Sequence, residues 1–133
     1  MTTARENICL GPNAGSNMTS GANNVCIGKW TGASLYNGAD NVCIGKQAGS
    51  SMITAYNNTC LGSGAGQKIE TGFGNVCLGN QTGQNITNGA LNICIGRGAG
   101  NCLIGGVGNV AIGRDAGKWY LGHGDNYKFM ISG

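Results

Sequence analysis

The nine residues Asn41-Val42-Cys43-Ile44-Gly45-Lys46-Gln47-Ala48-Gly49 decide the fold, because the same pattern returns along almost the whole chain. Asparagine stands at positions 7, 24, 41, 58, 75, 92, 109 and 126, each 17 residues after the one before. When the repeats are aligned on that asparagine, glycine fills the fifth and the ninth place of all seven full repeats. Self-similarity at a fixed, short period is typical of a solenoid, in which every repeat forms one coil.

Each repeat predicts the parts of its own coil. The segment N-V-C-I-G favours a strand, and G-x-x-A-G favours a corner, because glycine takes positive φ and allows close approach of neighbouring backbone. The apolar twelfth place indicates a second, shorter strand, and the asparagine side chains can hydrogen-bond from coil to coil. Coils at strand spacing, about 4.8 Å, would give a rod of roughly 34 Å. We therefore expect an all-β parallel β-solenoid of seven full coils over residues 7–117, with a lead-in at 1–6 and a cap or junction at 118–133.

The predicted strands are apolar on both faces. Successive strand residues point to opposite sides, so Val42 and Ile44 face one way and Cys43 the other. A strand that is apolar on both faces is normally covered on both faces, and a coil of this size covers only one of them with its own chain. Identical chains around a symmetry axis are the simplest cover for the other face. The pattern thus predicts a parallel homo-oligomer and leaves open which face meets the partner chains.

The pattern N-V-C-I-G-K-Q-A-G resembles the N-x-A-I-G-x-x-A-G repeats of trimeric β-rolls. Such repeats form the heads of trimeric autotransporter adhesins and the fibres and spikes of bacteriophages and large DNA viruses, including proteins that attach viruses to microbial or algal cell walls. The likeness covers residues 7 to about 117. It implies a homotrimer and an elongated module that projects or binds at a virion or bacterial surface, without specifying a ligand. We expect such a module to attach to a host cell-surface glycan, with a purely structural fibre shaft as the alternative. The sequence departs from the family by placing cysteine where alanine is common, although Ala111 restores alanine.

Six of the seven cysteines share the third place of consecutive repeats. Together with Ala111 they form a predicted structural ladder: Cys9, Cys26, Cys43, Cys60, Cys77 and Cys94. In-register parallel strands present sulfur atoms poorly for disulfides, and the closely spaced ligands of a metal site are absent from the sequence. Free cysteine is a small buried hydrophobe that fits where alanine does, so we expect buried free thiols and assembly in a reducing cytosol. Cys102 lies outside the ladder, and its role stays open.

Composition argues against several classes of protein. Glycine fills 27 positions, charged residues make up 10% of the chain, and the net charge is +3 without a dense basic cluster. A nucleic-acid-binding domain normally carries a denser basic face, so we expect no nucleic-acid partner. No stretch is apolar for long enough to cross a bilayer, and we expect no membrane insertion.

The chain also offers little for catalysis, and we expect neither an enzyme nor a cofactor. The single histidine, His123, has Asp115 and Asp125 near it in sequence, but nothing in their spacing requires chemistry. Residues 44–49 resemble the hexapeptide repeat of left-handed β-helix acyltransferases, which need about three hexads per coil, whereas only one matches here. An ice-binding solenoid would need a regular ladder of threonine, and the fourteenth place is too irregular for one.

Binding residues should depart from the repeat, because consensus residues are explained by folding. The candidates are aromatic or polar residues of this kind: Trp30, Tyr36, Tyr56, Trp119, Tyr120 and His123. Exposed aromatic rings on an amide-rich surface suit stacking on sugars, although the same rings would also suit contacts between chains. The sixth place holds two short basic ladders: Lys29 with Lys46, and Arg97 with Arg114. These are either solvated residues that discourage lateral aggregation or contacts to an anionic wall polymer.

Overall fold

The computed structural model describes residues 5–118 and 124–132 as one parallel β-solenoid of about seven turns. Eight three-residue strands form one sheet in sequence order: β1 (Ile8–Leu10), β2 (Val25–Ile27), β3 (Val42–Ile44), β4 (Thr59–Leu61), β5 (Val76–Leu78), β6 (Ile93–Ile95), β7 (Val110–Ile112) and β8 (Phe129–Ile131). Every neighbouring pair is parallel, and from β1 to β7 the partners lie 17 residues apart, as Cys26 and Cys43 do. The predicted all-β solenoid is confirmed, and the described residues contain no helix.

The predicted glycine corner follows each strand from β1 to β7. In the third repeat Gly45 has φ 125° and Gly49 has φ 56°, and the Ala48 N–H donates to the Gly45 carbonyl at 3.0 Å. A Cβ on Gly45 would lie 2.6 Å from the carbonyl carbon of Gly62 in the next coil. The fifth place must therefore be glycine both for its backbone angles and because two coils meet there backbone to backbone.

A narrow apolar core runs along the inside of the coils. The central residue of each strand from β2 to β7 is fully buried, and so are the twelfth-place side chains Leu35, Met52, Ile69, Ile86 and Leu103. The thiol of Cys43 donates to the sulfur of Met52 at 3.7 Å, which shows that the third and twelfth places meet across the core. From β2 to β7 the side of the strand that carries the third place is thus covered by the chain itself.

The asparagine ladder couples each coil to the next. The amide group of Asn58 donates to Asn41 Oδ1 at 3.1 Å and to the Gly72 carbonyl at 2.9 Å. Its own oxygen accepts from the backbone N–H and the amide group of Asn75, both at 3.0 Å. The same bonds recur from Asn7 to Asn109, and every buried side-chain nitrogen or oxygen in the described residues has a partner.

The second strand predicted at the twelfth place is wrong. The backbone turns there, and the Leu35 N–H donates back to the Gly32 carbonyl at 3.1 Å. A second ladder lies at the sixteenth place instead, as isolated parallel bridges such as Ala39 with Tyr56. A single buried apolar residue per coil is compatible with a turn as well as with a strand. The apolar pattern of the twelfth place therefore does not distinguish between these two backbone conformations.

The repeat register changes before β8. Val110 of β7 pairs with Phe129, which is 19 residues further on, and the Lys128 N–H donates to Asn109 Oδ1 at 2.9 Å. Lys128 therefore holds the place that the sequence pattern gave to Asn126. Asn126 instead accepts a hydrogen bond from the Val107 N–H at 2.7 Å. The segment 118–133 was predicted as a cap or junction. Its described residues add an eighth strand, β8, to the sheet.

Candidate carbohydrate-binding surface

Two aromatic rings stand next to each other at the sixteenth place. Tyr56 and Phe73 lie in adjacent coils, their ring centroids are 5.1 Å apart, and the ring planes are parallel to within 2°. The bridge between their backbones sets this spacing, and Tyr56 is 43% and Phe73 36% exposed. We call Tyr56 and Phe73 the aromatic pair.

The side chains of the aromatic pair are larger than those of its neighbours at the sixteenth place. The residues below and above it at the sixteenth place are Ala39 and Ala90, whose side chains are short. Leu91 follows Ala90, is exposed, and lies over Gly74, where a Cβ would be 2.7 Å from Leu91 Cδ2. The result is an exposed apolar surface formed by Tyr56, Phe73 and Leu91.

Hydrogen-bonding groups border the aromatic pair. The seventeenth place holds Asn23 and Asp40 in the two preceding coils and Asn57 in the coil of Tyr56, all of them exposed. Asn23 Nδ2 donates to Asp40 Oδ1 at 3.1 Å, so these two side chains are linked beside the sixteenth-place column. Stacking surface next to amide and carboxylate groups is the arrangement that recognises polyhydroxylated ligands.

Tyr36 lies in a different column, at the thirteenth place. It is exposed, and its N–H donates to the carbonyl of the exposed Ile53 in the next coil at 3.1 Å. Ile53 and Tyr56 are three residues apart in one coil, and both side chains are exposed.

Trp30 belongs to a third column, at the glycine corner. It is 42% exposed and has φ 61°, in the left-handed region that its seventh-place neighbours Asn13 and Gln47 also adopt. A tryptophan in this region costs about 1–2 kcal/mol. Trp30, Tyr36 and Tyr56 therefore belong to three different columns, at the seventh, thirteenth and sixteenth places.

The predicted binding residues are thus only partly brought together. Trp119, Tyr120 and His123 lie outside the described residues. Sequence reasoning missed Phe73, although its position 17 residues after Tyr56 is the signal that places the two rings in neighbouring coils.

The outward side of the sheet carries a continuous apolar stripe. It consists of the first and last residues of β1 to β8, which are all apolar except Thr59 and are all partly or fully exposed. We call this set the outward stripe; at strand spacing it is about 34 Å long. Contiguous apolar surface of this kind on a soluble protein marks an interaction site.

The predicted cysteine ladder is in register on the inward side of the sheet. Cys26, Cys43, Cys60, Cys77 and Cys94 are buried, and Cys9 is exposed. Burial, followed by the neighbouring thiols of Cys43 and Cys9, raises the pKa of Cys26. Hydrogen bonds with the thiols of Cys43 and Cys77, followed by burial, raise the pKa of Cys60. Hydrogen bonds with the thiols of Cys60 and Cys94 lower the pKa of Cys77 instead. Because all five of these thiols are buried, they act as core side chains.

These features define a parallel β-solenoid that buries five of its seven cysteines and displays other side chains in columns. No protein-family model, curated protein or solved structure matches the chain. Within residues 5–118 and 124–132, no cluster of three or more histidine, cysteine or acidic side chains is arranged to hold a metal ion. The same residues include no helix with the length and hydropathy needed to span a membrane.

Proposed function

We propose that this chain is a module of a viral fibre or spike that attaches the virion to the host surface by binding cell-wall carbohydrate. The observation that carries the proposal is the aromatic pair, Tyr56 with Phe73, exposed in parallel above flanking alanines. Solvent-exposed rings have no role in the core, and two stacked, partly exposed rings offer apolar surface for contact with a sugar ring. The resemblance of the repeat to fibre and spike modules supports a location on the virion surface, and a bacterial adhesin head is the alternative location.

We also propose that the working form is a parallel homotrimer assembled through the outward stripe. The stripe repeats at every coil, so a partner must offer apolar side chains at the same axial spacing, and a second copy of the chain has that spacing. The free thiols in the core favour assembly in a reducing cytosol.

Cell-wall binding tests the attachment function. Purified protein is mixed with isolated host walls and with immobilised neutral glycans, and bound protein is measured for the wild type and for a Tyr56→Ala/Phe73→Ala variant. We expect the double variant to lose at least about tenfold in affinity, since each stacked ring contributes roughly 1 kcal/mol or more. Tyr127→Ala is the matched control, because Tyr127 is also exposed but lies outside the aromatic pair.

A purely structural shaft is the second candidate, and the near-identical core of every coil favours it. Failure of the wild type to bind any wall or glycan preparation would support the shaft. Equal binding by the wild type and the Tyr56→Ala/Phe73→Ala variant would remove the aromatic pair from the proposal.

The mass in solution tests the assembly. Light scattering after size exclusion should give about three times the chain mass of 13.4 kDa. Leu61→Lys/Leu78→Lys places two charges on the outward stripe and should yield monomers, whereas Ile53→Lys, away from the stripe, should not. A wild type that stays monomeric at 13.4 kDa would overturn the proposed assembly.

A further inference from the structure

A polar cavity of about 300 Å³ lies at the glycine corner next to β6 and β7. It exists because Gly98, at the seventh place, carries no side chain between Gln81 in the coil below and Asp115 in the coil above. A Cβ on Gly98 would lie 2.5 Å from Asp115 Oδ1, so the carboxylate leans over this glycine. We call this space the arginine cavity.

The charges that line the arginine cavity are mostly positive. Arg97 and Arg114 share the sixth place of adjacent coils, and Lys118 completes the wall. The one carboxylate, Asp115, lies 3.5 Å from Lys118 Nζ. Like charges at the same place of neighbouring coils repel each other, and Arg97 and Arg114 stand in this relation. An anion between the two guanidinium groups would relieve this repulsion, and the guanidinium fork matches carboxylate, sulfate and phosphate oxygens.

An amide donor is also oriented toward the arginine cavity. Asn101 Oδ1 accepts the backbone N–H of Gln84 at 3.0 Å, which fixes the orientation of the side chain. Its Nδ2 group then lies 3.7 Å from the position of a Cβ on Gly98, on the cavity side. The cavity therefore presents hydrogen-bond donors from two arginines and one amide, all of which suit an acceptor-only ligand.

We propose that the arginine cavity binds the anionic group, carboxylate or sulfate, of an acidic polysaccharide. This inference rests on the proposed function, because it names the class of surface polymer that the module contacts. It concerns a site at the sixth and seventh places, separate from the sixteenth-place aromatic pair. The anionic group lies between Arg97 and Arg114 and accepts from Asn101, while Asp115 holds Lys118 at the rim.

Binding of three polymers to the full chain tests the inference. Polygalacturonate supplies carboxylates, dextran sulfate supplies sulfates, and dextran is the neutral reference; affinities are measured by calorimetry at low ionic strength. The test variant is Arg97→Ser/Arg114→Asn, which uses the residues that the chain itself has at the sixth place in Ser63 and Asn80. We expect this variant to bind the preferred acidic polymer at least about tenfold more weakly.

The matched control is Lys29→Ser/Lys46→Asn, which removes the same charge from the same column but far from the cavity. It should weaken binding less than about threefold, through long-range attraction only. A second variant, Gly98→Gln, keeps all charges and fills the cavity with the residue found at positions 47 and 81 of the same column, and it should also weaken binding.

Specific outcomes would overturn the inference. Equal weakening by the two double variants would mean that net charge alone attracts the polymer, and equal affinity for dextran would mean that no anion is recognised. The acidic polymer that binds more tightly identifies the anionic group, carboxylate or sulfate, that the arginine cavity binds. If acidic polymers bind through Arg97 and Arg114 while no wall preparation binds, the arginine cavity stands and the proposed attachment function fails.

Discussion

Replacing Asn58 with alanine is expected to lower the free energy of unfolding by about 4 kcal/mol. Asn58 is fully buried near the middle of the asparagine ladder, and its side chain makes five hydrogen bonds to four other residues: Asn41, Tyr56, Gly72 and Asn75. Alanine removes all of them, and the interior admits no water to replace them without rearrangement.

The size of the expected loss in unfolding free energy depends on which of the groups bonded to Asn58 keep another hydrogen-bond partner. Asn75 Nδ2 still donates to the Gly89 carbonyl at 2.8 Å, and Asn41 Oδ1 still accepts the backbone N–H of residue 58 at 3.0 Å. The Gly72 carbonyl and the Asn75 backbone N–H lose the bond that Asn58 supplied. Each buried backbone group left without a partner costs about 1–3 kcal/mol, and two of them give the expected loss.

Guanidinium unfolding followed by circular dichroism measures this loss. Protein concentration must be held constant, because association links stability to concentration. Asn37→Ala is the control, since Asn37 is exposed, and it should change stability by less than about 0.5 kcal/mol. Asn58→Asp keeps an acceptor for Asn75 but loses both donors, so it should also destabilise the protein strongly. A loss below about 1 kcal/mol for Asn58→Ala would refute the view that the ladder holds the coils together.

Three further predictions concern the core. Gly66→Ala should destabilise the protein by more than about 1 kcal/mol, because the new Cβ would lie 2.5 Å from Cys60 Sγ at φ +55°. The loss should shrink in a Cys60→Ala background, and equal losses in both backgrounds would contradict the steric explanation. A thiol reagent should label Cys9 at once but buried Cys26 only on unfolding, and denatured protein should show seven free thiols; rapid labelling of Cys26 would be inconsistent with its burial. Stability should fall as pH rises above about 8.5, because unfolded thiols then release protons while burial raises the pKa of Cys26 in the folded chain. The Cys26→Ala variant should show a shallower fall, and identical pH profiles would exclude a contribution from this thiol.

The repeat predicted those parts of the fold that every coil shares. Strand, glycine corner and asparagine ladder recur with the same contacts, so a place in the repeat is also a place in the structure. The twelfth place was misjudged because a buried apolar residue fits a turn and a strand alike. The register change before β8 was missed because Asn126 continues the count in sequence while Lys128 makes the ladder bond.

The candidate sites were harder to predict because they depend on neighbours in adjacent coils. Tyr56 was recognised as an outlier within its own repeat, but its partner Phe73 becomes apparent only when the sixteenth place is followed from coil to coil. The arginine cavity likewise depends on Gly98, a residue whose contribution is the absence of a side chain between two others. Reading the columns of a solenoid, in addition to its repeats, would have found both features.

The cysteines at the third place and the glycines at the ninth place pack against each other in the core. A Cβ at the ninth place would lie 2.7 Å from the sulfur in the Cys26–Gly32 pair and 2.6 Å in the Cys77–Gly83 pair. The sulfur therefore occupies the space that the missing side chain leaves, and a cysteine in the ladder contributes volume to the core without thiol chemistry. Ala111 lacks that sulfur, and there the next strand supplies a larger neighbour: Met130 pairs with Ala111 and packs against the core. Whether cysteine or alanine fits at the third place thus depends on how the adjacent coil fills the core. At Ala111 the adjacent β8 supplies Met130, and alanine is therefore compatible with a filled core there.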